Sequence, residues 1–226
     1  MGQKDFQTKR VIYTCDIGSI RSGNFGWSRC LPEDSANPTG STAISKLVEF
    51  LLADMANKKS IALGFECPLF MPVPPSADDL SKGRRGEGAW SMFGQAGATV
   101  TTLGMHQAAW ILQKIYKGGN SGYEFTTDYS KWPPPHDHKM LLCWEAFVSG
   151  GAHSKEHIRD ATTATMFFLE NENALEEVNA VTTEHSFSLI HSVALWVGWS
   201  TDLSGLHQMA LVLKPSESYK GAIHNV

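Results

Sequence analysis

From Ile44 the apolar side chains fall at Ile44, Leu47, Val48, Leu51, Leu52 and Met55. That three-and-four spacing is a helix with one buried face, and Lys58 and Lys59 suit its negative C-terminal end. Ahead of it, residues 11–15 form a β-branched and aromatic run that stops at Asp16, and a second run covers residues 25–31. Gly18, Ser19 and Gly23 lie between them, which predicts an antiparallel hairpin. Pro38 and Gly40 then punctuate the chain, and Ser41 or Thr42 can cap the helix. Residues 61–65 are a short apolar run ending at Glu66-Cys67-Pro68, where the proline stops the strand. Hairpin, helix, strand in that order lets the new strand return parallel to the first through a right-handed crossover.

The pattern breaks over residues 71–98, which are rich in prolines and glycines and carry Lys82, Arg84 and Arg85. A long irregular insertion of this kind is usually functional or mobile. Periodicity resumes as a helix over residues 100–116, ended by Gly118 and Gly119. Residues 120–138 read as a loop with a rigid Pro133-Pro134-Pro135 segment. Residues 140–148 are a third buried strand, interrupted by Glu145. Ser154 can cap a helix running to about residue 169, residues 187–199 predict a further helix, and residues 209–213 a last short strand. The expected fold is α/β, one domain over residues 1–226 with residues 180–226 as a C-terminal extension.

With 42% hydrophobic and 19% charged residues in 226, the chain can bury a real core. The net charge of -4 does not advertise a polyanion partner, so a nucleic-acid enzyme would need a local basic patch. Cys15, Cys30, Cys67 and Cys143 show no CxxC spacing, and the polar start MGQKDFQTKR is no secretory signal. Free thiols in a reducing cytoplasm and no membrane span are the expectation. Trp196 and Trp199 point either to a partner surface, such as a second copy in a homo-oligomer, or to a buried helix.

Three strand-like runs each carry one acid at or near the carboxyl end, Asp16, Glu66 and Glu145, and Asp160 opens the helix after the third. In an open α/β sheet those ends share the edge where sites are built. Carboxylates converging there repel one another, and a hard divalent cation offsets the repulsion. Each acid also has a plain structural reading. Asp16 suits a turn, Glu66 a strand end, Glu145 an outward-facing strand position and Asp160 a helix N-terminus. His157, three residues before Asp160, shares its helical face and could carry a proton or touch phosphate. The other histidines form no HExxH pattern. Lys82, Arg84 and Arg85 could grip phosphate, while Trp90 and Phe93 could stack on a base or simply pack the loop down.

Asp16-Ile17-Gly18-Ser19 followed by Gly26-Trp27 resembles the first hairpin of RNase H-like proteins. Phe65-Glu66-Cys67-Pro68-Leu69, Trp144-Glu145-Ala146-Phe147 and His157-Ile158-Arg159-Asp160-Ala161 are similar to segments of a predicted RNase H-like nuclease family. The resemblance implies a mixed sheet flanked by helices, Mg²⁺ or Mn²⁺, and phosphodiester hydrolysis of DNA or RNA by a two-metal mechanism. It implies Asp16, Glu66, Glu145 and Asp160 as metal ligands, His157 beside them, and Ser19, Lys82, Arg84 and Arg85 on substrate. Three departures stand out, the first being that the helix and tail after residue 180 have no counterpart in the family. Residues 33–43 leave little room for the family's third antiparallel strand, and Glu66 stands where aspartate is expected. The Asp-x-Gly-Ser turn also resembles the phosphate loop of actin-like kinases and ATPases, and a non-catalytic adaptor would keep the fold without the chemistry.

Overall fold

The computed structural model describes residues 9–88, 91–119 and 122–226. In chain order the elements are β1 (Arg10–Asp16), β2 (Gly26–Cys30), β3 (Thr39–Ser41), α1 (Ile44–Ala56), β4 (Ser60–Phe65), β5 (Phe70–Pro72) and α2 (Gln95–Gly119). They continue with β6 (Glu124–Thr126), β7 (Met140–Ala146), α3 (His157–Glu170), β8 (Ser186–Ser188), α4 (Leu189–Val197), β9 (Val212–Leu213) and β10 (His224–Asn225). The main sheet runs β10-β3-β2-β1-β4-β7-β6, with β9 also on β7. β2 is antiparallel to both β1 and β3, whereas β1, β4, β7 and β6 are parallel. This is an α/β chain with a mixed, mostly parallel sheet. No described helix is long and apolar enough to cross a membrane.

The expected hairpin, crossover helix and returning strand are all present. The third antiparallel strand also exists, contrary to the expectation for residues 33–43. Three residues suffice, because β3 pairs with β2 through Trp27↔Ser41, Ser28↔Gly40 and Arg29↔Thr39. The insertion is less irregular than its composition suggests. β5 pairs with β8, and α2 begins at Gln95, inside the segment expected to be loop.

Period-two alternation divides the buried residues between the faces of the sheet. Val11, Tyr13, Cys15, Ile61, Leu63, Phe65, Leu141 and Cys143 share a core with Leu47 and Leu51 of α1 and with Ile111 and Ile115 of α2. Ile12, Ala62, Leu142 and Trp144 share the other with Ala164 and Phe168 of α3. Gly64 belongs to the α3 side, where a Cβ would lie 2.5 Å from the Trp144 ring, so only glycine lets the indole lie flat on β4. All four cysteines are buried and unpaired as thiols.

The last helix divides the two tryptophans. Trp199 is half-buried against Tyr116 and Phe125 and donates its indole N–H to the Tyr123 carbonyl at 3.1 Å, while Trp196 is 66% exposed. The buried-helix expectation fits the first and not the second.

Candidate functional site

Register decides which acids meet. Cys15 aligns with Phe65 and Phe65 with Glu145, so those three side chains occupy one row and point to the α1–α2 face. One residue further on, Asp16, Glu66 and Ala146 point the other way, toward α3. Asp160 enters that face from the first turn of α3.

Asp16 and Asp160 are buried, at 7% and 1% exposure. Glu66 is half-buried overall, but its Oε2 is enclosed and has no hydrogen-bond partner. Burial raises the Asp16 carboxyl to about 6, against the pull of His157 toward the charged form. Burial also pushes Glu66 well above the usual carboxylate range, and the charges of Asp16 and Asp160 and a side-chain hydrogen bond with Asp16 push it further. Only the Val148 N–H, donating to Glu66, works in the opposite direction. The three carboxylates therefore face one another, and the charges of Asp16 and Asp160 make Glu66 harder to ionise.

Two histidines close on this group. His157 Nδ1 lies 2.6 Å from Asp16 Oδ2, and His153 Nδ1 lies 2.7 Å from Asp160 Oδ2. The Ser154 N–H holds Asp160 Oδ1 at 2.7 Å. Ser154 thus fixes the acid in the first turn instead of capping α3, whose N-cap is Glu156. Gly26 makes the approach of α3 feasible: a Cβ there would sit 2.4 Å from the His157 carbonyl carbon. His153 has no sequence signal of its own. It becomes visible only when the turn at Gly150–Ala152 folds back over Asp160.

Glu145, expected as a fourth metal ligand, is engaged elsewhere. Arg84 donates to both of its oxygens at 2.6 and 2.7 Å, and the Leu69 N–H adds a third bond at 3.0 Å. Arg84 also bonds Glu87 through its backbone N–H and Nε, and its guanidinium stacks 4.5 Å from the Phe70 ring centroid. Arg84, expected on phosphate, is therefore a buried anchor tying the insertion to the sheet. The reason is parity: Glu145 is one residue out of phase with Asp16 and Glu66, on the face where the insertion returns.

The other expected substrate contacts also lie apart. Ser19 accepts from Ser22 N–H and caps a short 3₁₀ turn, Ile20–Ser22. Lys82 pairs with Asp79 at 2.6 Å in solvent. Lys82 and Arg85 line a separate groove of about 500 Å³ with Pro72–Pro75 and Thr182–His185. Among the described residues, no hydrogen bond or ion pair links Ser19, Lys82, Arg84 or Arg85 to Asp16, Glu66 or Asp160. Trp90 lies outside the described residues, and Phe93 is 41% exposed.

Among the described residues no group of three or more His, Cys, Asp or Glu stands arranged to hold a metal ion. Asp16 Oδ2 and Asp160 Oδ2 are taken by the histidines, so a cation would have to replace those contacts. The donor set nevertheless fits a hard divalent ion: three converging carboxylates, one with an enclosed, unpartnered oxygen. No family model, curated protein or solved structure matches this chain.

Proposed function

We propose that this chain is a phosphodiesterase of nucleic acid that depends on Mg²⁺ or Mn²⁺ and is built on an RNase H-like sheet. The observation that carries the proposal is the meeting of Asp16, Glu66 and Asp160 on one face of the sheet, with Glu66 Oε2 enclosed and unpartnered. Structural sites rarely set three acids against one another without a cation partner, because the repulsion lowers stability for no gain. β3, antiparallel to β2 ahead of α1, supplies the third antiparallel strand that the resemblance calls for and supports the same reading.

Asp16, Glu66 and Asp160 would hold the cation. Bound there, it would supply an activated water and neutralise charge on the leaving oxygen. His157 and His153 orient Asp16 and Asp160 through Nδ1 and are placed to carry protons to and from the reacting oxygens.

Calorimetric titration with Mn²⁺ and cleavage of labelled single- and double-stranded DNA and RNA test the proposal together. Mn²⁺ binding and cleavage that both disappear in Asp16→Asn and Asp160→Asn support it. Folded protein with no Mn²⁺ uptake and no cleavage of any substrate moves the reading to a non-catalytic adaptor. Thermal stabilisation by ATP that survives Asp160→Asn moves it to the phosphotransferase class.

A further inference from the structure

The cluster lies between two clefts of different character. One, of about 540 Å³, opens between the ends of β4 and β7 and the first turn of α2, and Glu66 and His153 form part of its wall. The other, of about 430 Å³, lies beyond His157 and is lined by Lys155 and Arg159 among polar groups.

The first cleft is within the roughly 300–1,000 Å³ of small-ligand sites. Cys67, Met92, Val100, Ala146, Phe147 and Val148 give it apolar walls, and Ser91, Gln95 and Ser149 supply a few polar atoms. Its charged lining is unsuited to phosphate. Glu66, Glu87 and Glu145 line it, and its one guanidinium, Arg84, already donates to Glu145, Glu87 and the Phe70 carbonyl. A flat, uncharged, partly polar ring matches such walls, and a phosphate does not. Phe93, between the lining residues Met92 and Gly94, is 41% exposed and is not part of the wall.

We propose that this cleft receives one unstacked nucleobase of the substrate, while the backbone passes over the carboxylates toward the cleft of Lys155 and Arg159. The proposal rests on the phosphodiesterase reading for its ligand class and goes beyond it by naming a base-binding subsite. Burying a single base beside the reacting phosphate fixes the scissile bond in position and selects single-stranded or locally opened substrates.

The test uses unphosphorylated nucleosides, adenosine, guanosine, cytidine and uridine, so that affinity does not depend on a cation. Binding is read by saturation-transfer NMR and calorimetry, with Mn²⁺ titrated separately. Ala96 is exposed and lines the cleft, so Ala96→Trp fills the space from outside the core. Nucleoside affinity should fall at least about tenfold in Ala96→Trp. Phe93→Ala, outside the lining, should leave it at the wild-type value. Mn²⁺ affinity should stay at the wild-type value in both. Failure of every nucleoside to bind the wild-type protein at millimolar concentration overturns the subsite, as does equal binding by Ala96→Trp. Nucleoside binding without any Mn²⁺ uptake keeps the subsite and removes the phosphodiesterase. Mn²⁺-dependent cleavage indifferent to Ala96→Trp does the reverse.

Discussion

Replacing Arg84 by Met tests whether the insertion is pinned by a buried charge or simply rests on the sheet. The Arg84 side chain is 1% exposed, and its two carboxylate partners, Glu87 and Glu145, are 2% and 3% exposed. Its donors make five bonds of 3.3 Å or less, to Glu87, Glu145 and the Phe70 carbonyl. The Met side chain keeps much of the volume but removes the charge and four of those bonds; the backbone N–H to Glu87 remains. Breaking a buried pair from one side costs about 3–5 kcal/mol, because the partner is left charged and dry. Here two carboxylates are stranded, which places the cost at the upper end near neutral pH. Burial already raises the Glu145 carboxyl, with Arg84 opposing the rise. Without Arg84 it should take up a proton, and that caps the loss. The variant should therefore be least stable at high pH, losing up to about 1.4 kcal/mol per pH unit for each carboxylate forced to ionise. Urea unfolding at pH 5 and pH 8 measures both quantities. At about 2–4 °C per kcal/mol for a chain of this size, the melting temperature near neutral pH should drop by about 6–20 °C. The triple change Arg84→Met, Glu87→Met, Glu145→Met should recover most of the loss. A penalty below about 1 kcal/mol at both pH values refutes the anchor. Unchanged stability with weakened nucleic-acid binding would return Arg84 to the phosphate role that its position in a basic loop first suggested.

Asp16 and Asp54 should respond oppositely to pH. The Asp16 carboxyl is raised from 3.8 to about 6, so its ionisation destabilises the fold increasingly between those values and by a constant amount above. Asp16→Asn should thus stabilise the cation-free protein at pH 7.5 by up to about 3 kcal/mol, and a lower melting temperature than wild type would refute the cost of burying this charge. For the same reason Mn²⁺ should bind the wild-type protein more tightly at pH 7 than at pH 5, and calorimetry showing equal affinity would contradict it. Asp54 is buried, yet Arg29, Tyr13 and Lys59 more than offset that burial and hold its carboxyl below the ordinary value. Its stabilisation is present above the unfolded-state value and lost as pH falls through the lowered folded one. Asp54→Asn should cost about 3–5 kcal/mol at pH 7 and little in strong acid, as chemical denaturation at the two pH values would show. Gly26→Ala should push α3 from β2 and separate His157 from Asp16. Mn²⁺ affinity and the His157 ring NMR chemical shifts should change together, and unaltered values for both would refute the close approach.

The alternation of apolar and polar positions was enough to specify most elements of this fold. The six apolar positions from Ile44 to Met55 specify α1, residues 11–15 and 61–65 specify β1 and β4, and Pro68 ends the latter, because period and punctuation are local properties of the chain. Short elements escaped. β3, β5, β6, β8 and β10 have two or three residues each, too few to establish a period, and only pairing partners distant in sequence define them, β6 inside the segment expected to be loop. The site divides in the same way. Asp16 and Glu66 were legible as acids closing their runs and Asp160 as an acid opening a helix, and the structure brings them together. Glu145 looked equivalent because its position along the strand is equivalent. Its direction depends on the Phe65↔Glu145 register, which no single segment contains. A one-residue shift in register sends a side chain to the opposite face of a sheet. The same long-range pairing turned Arg84 inward and brought His153 onto Asp160. Local pattern thus determined which residues form the longer strands and helices and which acids lie at their ends. Tertiary register alone decided which of those acids share a face.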